Sequence, residues 1–118
     1  TPPDGPVVIE GVGGLLVPLT RRVLALDVFA RWGVPLVLCA ATRLGTINHT
    51  LLSVEAIRAR GISLTGIAFI GDAQDESEGV ILEITGATRL GRLPRLDTLN
   101  RETLAAAFAA NFRLDDFR

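Results

Sequence analysis

The chain has 118 residues, a formal net charge of −1, 48% hydrophobic and 21% charged residues, a composition that suits a single globular domain and excludes a disordered chain. No block of basic residues occurs and only 5% of the residues are aromatic, which argues against the basic stripe and stacking platforms of a nucleic-acid binder. The longest apolar run, Val34 to Ala41, falls far short of the ~20 residues that span a bilayer.

Taken in chain order, Pro6-Val7-Val8-Ile9-Glu10 is an apolar, β-branched run that stops at Gly11-Val12-Gly13-Gly14, and it predicts a buried parallel strand. Arg22 to Trp32 has helical spacing, with Val23, Leu26, Phe29 and Ala30 on one side and Gly33 as a stop. Pro35 to Ala40 reads as a second strand. Thr46 to Arg60 is the strongest helix, with Ile47, Leu51, Val54 and Ile57 on an apolar stripe, Thr46 in the N-cap position and Gly61 closing it. Leu64 to Ile70 is the third strand, followed by a polar, turn-like stretch from Gly71 to Ser77. Glu78 to Thr85 is a weaker helix and Arg89 to Leu93 a short fourth strand ending at Pro94. Arg101 to Phe112 is the final helix, with Leu104, Ala105, Phe108 and Phe112 expected to face inward. Asp115-Asp116 reads as a solvated tail.

Strands alternating with helices predict an α/β fold, a mostly parallel sheet with helices on both faces. In such sheets ligands bind beyond the carboxyl ends of the strands. The loops there are Gly11 to Thr20, Ala41 to Ile47, Gly71 to Ser77 and Pro94 to Arg101.

Two counts narrow the chemistry. Cys39 is the lone cysteine, so no disulfide closes within the chain, and a reduced, cytoplasmic setting is expected. All twelve basic residues are arginines, so the chain supplies no P-loop lysine and no Schiff base. The opening Thr1-Pro2-Pro3-Asp4-Gly5-Pro6 fits either a removed initiator methionine or a cut at a loop.

Four segments could carry chemistry. Glu10 precedes a glycine-rich turn at the end of a predicted strand. Glycines let the backbone approach a phosphate, and an acid there can hold Mg²⁺; equally, Glu10 can top a strand in solvent while the glycines make a turn. Leu44-Gly45-Thr46-Ile47-Asn48-His49 opens the strongest helix, whose first turn offers free N–H groups to a carboxylate or phosphate, or is simply capped. Ile70-Gly71-Asp72 ends the third strand, where a nucleotide base could lodge. Gly91-Arg92-Leu93-Pro94-Arg95 presents arginines to a nucleotide or to water. His49 is the one histidine, which rules out a multi-histidine site within one chain.

Together these segments resemble the dethiobiotin synthetase family. Val8-Ile9-Glu10-Gly11-Val12-Gly13-Gly14, trailing into Val17-Pro18-Leu19, is similar to its V-E-G-A-G-G segment. Leu36-Val37-Leu38 followed by Thr42-Arg43-Leu44-Gly45-Thr46-Ile47-Asn48-His49 is similar to its L-P-V-I-L-V and L-G-x-I-N-H segments. Gly91-Arg92-Leu93-Pro94 is similar to its G-x-I/L-P loop. The resemblance runs through nearly the whole chain in one register and implies the C-terminal half of a P-loop-type α/β enzyme, a single partial domain over residues 1–118.

The resemblance further implies a homodimer that uses ATP or another nucleoside triphosphate, Mg²⁺ and CO₂ to convert 7,8-diaminopelargonate into dethiobiotin, with the N-terminal P-loop half as the needed partner and the catalytic lysines outside this chain. It implies that Glu10 ligates Mg²⁺ and that Glu10, Gly11, Val12 and Gly13 line the phosphates. Ile70, Gly71, Leu93, Pro94 and Arg95 would line the base. Leu44, Gly45, Thr46, Ile47 and Asn48 would hold the diaminopelargonate tail at the dimer interface. Two departures stand out. Val12 replaces a small alanine, and Ile70 stands where the family commonly has an asparagine that reads adenine, leaving the base preference open. The competing readings are a non-catalytic dimerisation module and a related nucleotide-dependent ligase of cobyrinate synthesis.

Overall fold

A computed structural model describes residues 4–118; Thr1 to Pro3 of the proline-rich opening lie outside the described residues. The chain runs α1 (Ala25–Trp32), β1 (Leu36–Ala41), α2 (Thr46–Ala59), β2 (Leu64–Ile70), α3 (Asp75–Thr85), β3 (Arg89–Leu93) and α4 (Arg101–Asn111), and ends in a short 3₁₀ turn, Leu114–Phe117. The three strands form one parallel sheet in the order β1-β2-β3. Helices cover both faces, as the alternating pattern predicts.

The sequence explains which face each helix takes. On β1, Leu38 and Ala40 point inward while Val37 and Cys39 are exposed. Leu38 pairs with Ile67 and Ala40 with Phe69, so these four share a face. That face packs against Val54 of α2 and Ile81 of α3 to form the main core. A second cluster joins it at the sheet's other end, where Leu26 of α1 and Ile57 of α2 enclose Ile62. The opposite face belongs to α4. Gly91 of β3 has φ +152°, and a Cβ there would collide with the carbonyl of Asn111 and the ring of Phe112. Glycine is thus the condition for α4 to lie against β3.

Local signals set the helix ends. Asn100 Oδ1 accepts from the Thr103 N–H at 2.9 Å, and Thr103 Oγ1 accepts from the Asn100 N–H at 3.0 Å, a reciprocal cap that starts α4. Glu78 in the first turn of α3 accepts from the Gln74 N–H at 3.1 Å and from Arg89 at 3.2 Å. With a partner on each oxygen, its carboxylate is tolerated although the residue is only 4% exposed.

Several expectations are corrected. Residues 6–10 form no strand, and Val8 is 95% exposed. A parallel strand needs a neighbour's donors and acceptors; among the described residues β1 pairs with β2 alone, so Val7 to Ile9 stay unpaired. The first helix begins at Ala25 rather than Arg22, because Thr20 Oγ1 takes the N–H groups of Arg22 and Val23 in a turn. The α3 helix begins at Asp75, inside the stretch expected to be a turn, since three acids in its first turn suit the positive end of the helix. Leu104 and Ala105 are exposed; only Phe108 and Phe112 turn inward, stacked at 5.0 Å with Phe117 beside them. Asp115 and Asp116 sit in the terminal 3₁₀ turn, where Asp115 pairs with Arg118 at the surface.

One ion pair ties α1 to α2. Asp27 accepts from Arg60 Nε at 2.8 Å and from the Leu24 N–H at 3.0 Å. The hydrogen bond from Arg60 first, then that from Leu24, holds the Asp27 carboxyl below the usual aspartate range. Its folded-state pKa therefore lies below its unfolded one, and the stabilisation is present above the unfolded value and lost as pH falls through the folded one. Asp27→Asn is expected to melt below the wild type at neutral pH, with the gap closing as pH drops beneath about 4. Thermal melts of both proteins across that range check this; a gap constant with pH would disprove the assignment.

Candidate functional site

The carboxyl ends of the three strands are laced together by backbone and side-chain hydrogen bonds. The Thr42 N–H donates to the Ile70 carbonyl at 3.0 Å, and the Gly71 N–H donates to the Leu93 carbonyl at 2.9 Å. Arg92 Nη1 donates to the Gly71 carbonyl at 2.8 Å. This lacing brings Ile70 and Gly71 beside Leu93, so the residues expected to line a base do meet. Pro94 is half-buried and Arg95 exposed at the same edge.

Gly71 is tightly enclosed. Its φ is +126°, and a Cβ would lie 2.6 Å from Thr42 Oγ1. Both the conformation and the space require glycine. A side chain that reads a base by hydrogen bonds is thus absent at Gly71, and Ile70 offers only hydrocarbon.

Beside these ends lies a cavity of about 740 Å³, within the ~300–1,000 Å³ range of small-molecule sites. Leu44, Gly45, Thr46, Ile47 and Asn48, the whole segment expected to hold a substrate tail, form one wall. Thr42, Arg43 and Leu51 extend that wall, and Gln74 and Ser77 of the α3 start form the other. None of these five was given a site role from sequence, although Thr42 and Arg43 belong to the motif segment, Leu51 to the expected apolar stripe of α2, and all but Leu51 to two of the loops expected at the strand ends. The order of strands, which sets α3 against α2, is what joins those loops.

The α2 start differs from expectation. Gly45, not Thr46, is the cap residue. Thr46 is instead buried, its hydroxyl 3.2 Å from that of Thr50. The Thr46 N–H reaches the Arg43 carbonyl at 3.1 Å and the His49 N–H the Gly45 carbonyl at 3.1 Å. Among the described residues the N–H groups of Ile47 and Asn48 have no backbone acceptor, and with the helix dipole they present partial positive charge at the cavity.

The glycine loop forms a separate group. Glu10 to Gly13 are exposed, and Gly11 passes over the ring of Phe29, with only 3.3 Å for a Cβ. Leu15 and Val17 bind α1 through their carbonyls, which accept from the Leu26 and Ala25 N–H groups at 3.0 and 2.9 Å. Partial burial, reinforced by the nearby Glu10 carboxylate, pushes the Cys39 thiol up. Gly14 to Pro18 then border a smaller hollow of about 400 Å³ against His49, Leu52 and Ser53 of α2. No hydrogen bond links the Glu10–Gly13 loop to the larger cavity among the described residues.

Among the described residues no three His, Cys, Asp or Glu side chains converge on a metal position. Mg²⁺ bound to a nucleotide commonly keeps several waters and takes one or two carboxylates, the rest of its shell coming from phosphates. The exposed Glu10, beside a backbone of glycines, fits the place of such a single carboxylate.

A family model described as an AAA domain matches residues 1–103. The chain belongs to the AAA domain family. Curated relatives of this AAA-domain chain carry a more specific name. It is 64% identical over 114 residues to the ATP-dependent dethiobiotin synthetase BioD of Rhodopseudomonas palustris strain HaA2, a match covering 97% of the chain and 54% of that protein. It is 62% identical over 115 residues to the protein of that name from Agrobacterium fabrum, covering 98% and 54%. With that from Sphingopyxis alaskensis it shares 54% identity over 118 residues, covering 100% and 58%. The resemblance read from the motifs is borne out. The chain spans about half the length of the curated relatives it matches. No helix among the described residues is long and apolar enough to cross a membrane.

The strand-end lacing leads to a steric test. Gly71→Ala is expected to destabilise the protein by about 1–3 kcal/mol through the forced φ and the clash with Thr42. Adding Thr42→Ala removes the clash but not the backbone strain, so the double variant should recover part of the loss. Denaturant unfolding of both variants checks this, and losses that simply add would show that Thr42 and Gly71 do not meet.

Proposed function

We propose that the chain is the C-terminal half, a single partial domain, of a cytoplasmic, homodimeric ATP-dependent ligase that converts 7,8-diaminopelargonate and CO₂ into dethiobiotin, working with an N-terminal P-loop half. The observation that carries this reading is the cavity walled by Leu44 to Asn48 at the sheet's carboxyl edge, in a chain whose relatives are named dethiobiotin synthetases. Its size suits a medium-chain substrate, and its N–H groups suit a carboxylate.

The reaction divides into steps with different needs. One substrate amine attacks the carbon of CO₂ and, on losing a proton, becomes a carbamate. A carbamate oxygen then attacks the γ-phosphorus of ATP, releasing ADP and forming a mixed carbamic–phosphoric anhydride. The second amine attacks the carbamate carbon and expels phosphate, closing the ureido ring. Phosphoryl transfer of this kind depends on positioning and on charge stabilisation. This chain's share is positioning. The α2 start and the cavity hold the substrate's tail. Glu10 would be a Mg²⁺ ligand, and Gly11, Val12 and Gly13 would leave the backbone free to approach the phosphates. When bound, Mg²⁺ neutralises developing charge on the phosphate oxygens. Ile70, Gly71, Leu93, Pro94 and Arg95 would flank the base by packing and backbone contacts. The apolar side chains exposed at Leu44, Leu52 and Leu16 suit burial against a second protomer.

The positive charge that phosphoryl transfer requires at the β- and γ-phosphates comes in P-loop enzymes from a lysine, and this chain has none. The chain by itself is therefore expected to release no phosphate from ATP in the presence of Mg²⁺, bicarbonate and diaminopelargonate, and a phosphate-release assay at enzyme-like turnover would contradict this. In the full-length protein, Glu10→Gln keeps size but removes the charge that balances the metal. It is expected to lower kcat/KM about 100-fold, roughly 2.7 kcal/mol, with partial rescue by high Mg²⁺ and an unchanged melting temperature. Wild-type rates at limiting Mg²⁺ would take Glu10 out of the site.

A further inference from the structure

We propose that Arg43 is the counter-ion that selects and orients a carboxylate-bearing substrate in the cavity between α2 and α3, an assignment that rests on the dethiobiotin-forming reading above.

The cavity's charge inventory is the first support. Among the described residues that line it, Arg43 alone is charged; the others are apolar or are the neutral polar side chains of Thr42, Thr46, Asn48, Gln74 and Ser77. Among the described residues that line the cavity no carboxylate is present to answer the Arg43 guanidinium at its wall. The second support is that four of the other arginines are engaged elsewhere, and the seven that, like Arg43, make no side-chain ion pair or hydrogen bond among the described residues do not line this cavity. Arg60 pairs with Asp27, Arg89 with Glu78 and Arg118 with Asp115, while Arg92 is spent on the Gly71 carbonyl. The Arg43 guanidinium makes no ion pair or hydrogen bond among the described residues, so its donors remain available. The third is that its backbone is pinned. The preceding Thr42 is buried and hydrogen-bonded to the Ile70 carbonyl at 3.0 Å, and the Arg43 carbonyl accepts from the Thr46 N–H at 3.1 Å. The flexible side chain thus starts from a fixed point at the cavity wall.

The chemistry of the substrate completes the argument. Diaminopelargonate carries two amines at one end and a carboxylate at the other. The two amines are adjacent: the first protonates near lysine's value, about 10, and its charge lowers the second, so the amine end carries at least one positive charge at neutral pH. A lone guanidinium in the cavity attracts the carboxylate, which matches its planar fork, and repels the ammonium end. One residue thereby sets both which compounds bind and which end faces the phosphates.

The experiment compares diaminopelargonate with its primary amide, which keeps the length and both amines but lacks the negative charge, on the full-length enzyme and its Arg43→Gln and Arg43→Lys variants. Arg43→Gln is expected to lower kcat/KM for the acid by about 10- to 100-fold, the value of a charge-assisted hydrogen bond. The loss should fall in KM, with kcat, the KM for ATP and the melting temperature little changed. For the amide, Arg43→Gln should cost little. Arg43→Lys should lie between, keeping the charge but not the fork. A structural role would lower acid and amide together, and that result would overturn the assignment, as would an unaltered preference for the acid in Arg43→Gln. A wild-type enzyme that neither binds nor turns over diaminopelargonate would instead remove the functional reading, and this assignment with it.

Discussion

The structure depends on β2 being satisfied on all four sides. As the central strand it hydrogen-bonds to β1 and β3, and both its faces are covered, so that Gly66, Ile67, Ala68 and Phe69 are buried in succession. A strand buried on both faces reads as a continuous apolar run, and Leu64 to Ile70 is such a run. Its glycine is part of the design: a Cβ on Gly66 would lie 2.6 Å from the Thr88 carbonyl and 2.8 Å from Leu90. The same face thus carries small residues at Gly66, Ala68 and Gly91, which lets the aromatic end of α4 come close. The other face carries Ile67 and Phe69, which fill the space under α2 and α3.

From that strand the site follows. Because β1 and β3 run parallel to β2, all three carboxyl ends emerge at one edge, and the helices that follow β1 and β2 begin there. The α2 and α3 starts are therefore neighbours, and the cavity is the space between them. Apart from Arg43 and Gln74, its polar lining is made of short side chains and backbone, set on strand ends laced by Thr42, Gly71 and Arg92. A site held by backbone geometry tolerates many changes to its side chains but few to its glycines.

The surfaces left open are equally informative. The outer face of β1 shows Val37 and Cys39, and the unpaired stretch from Val7 to Ile9 exposes three more apolar residues. The outer edge of β1 has no partner among the described residues. Unpaired edges and apolar faces on this scale ask for a cover. The chain spans about half the length of the curated relatives it matches.

Sequence alone determined what is local or periodic. The limits of β2 and β3 and the start and approximate end of α2 were legible, because apolar runs and stripes bounded by glycine and proline report burial directly. The motif segments were legible too, since Glu10 with its glycines and Leu44 to Asn48 keep their neighbours in the chain. What depended on distant partners was not. Residues 6–10 have a strand's composition but no neighbour to pair with, and composition does not encode the neighbour. The capping role passed from Thr46 to Gly45 because burial of the Thr46 hydroxyl against Thr50 outweighed a cap's local preference. Arg43, Gln74 and Ser77 came together only through the strand order, which sets α3 beside α2. Hydrogen bonds between strand ends and the lone charge of a cavity are relations between segments far apart in the chain, and only tertiary structure decides them.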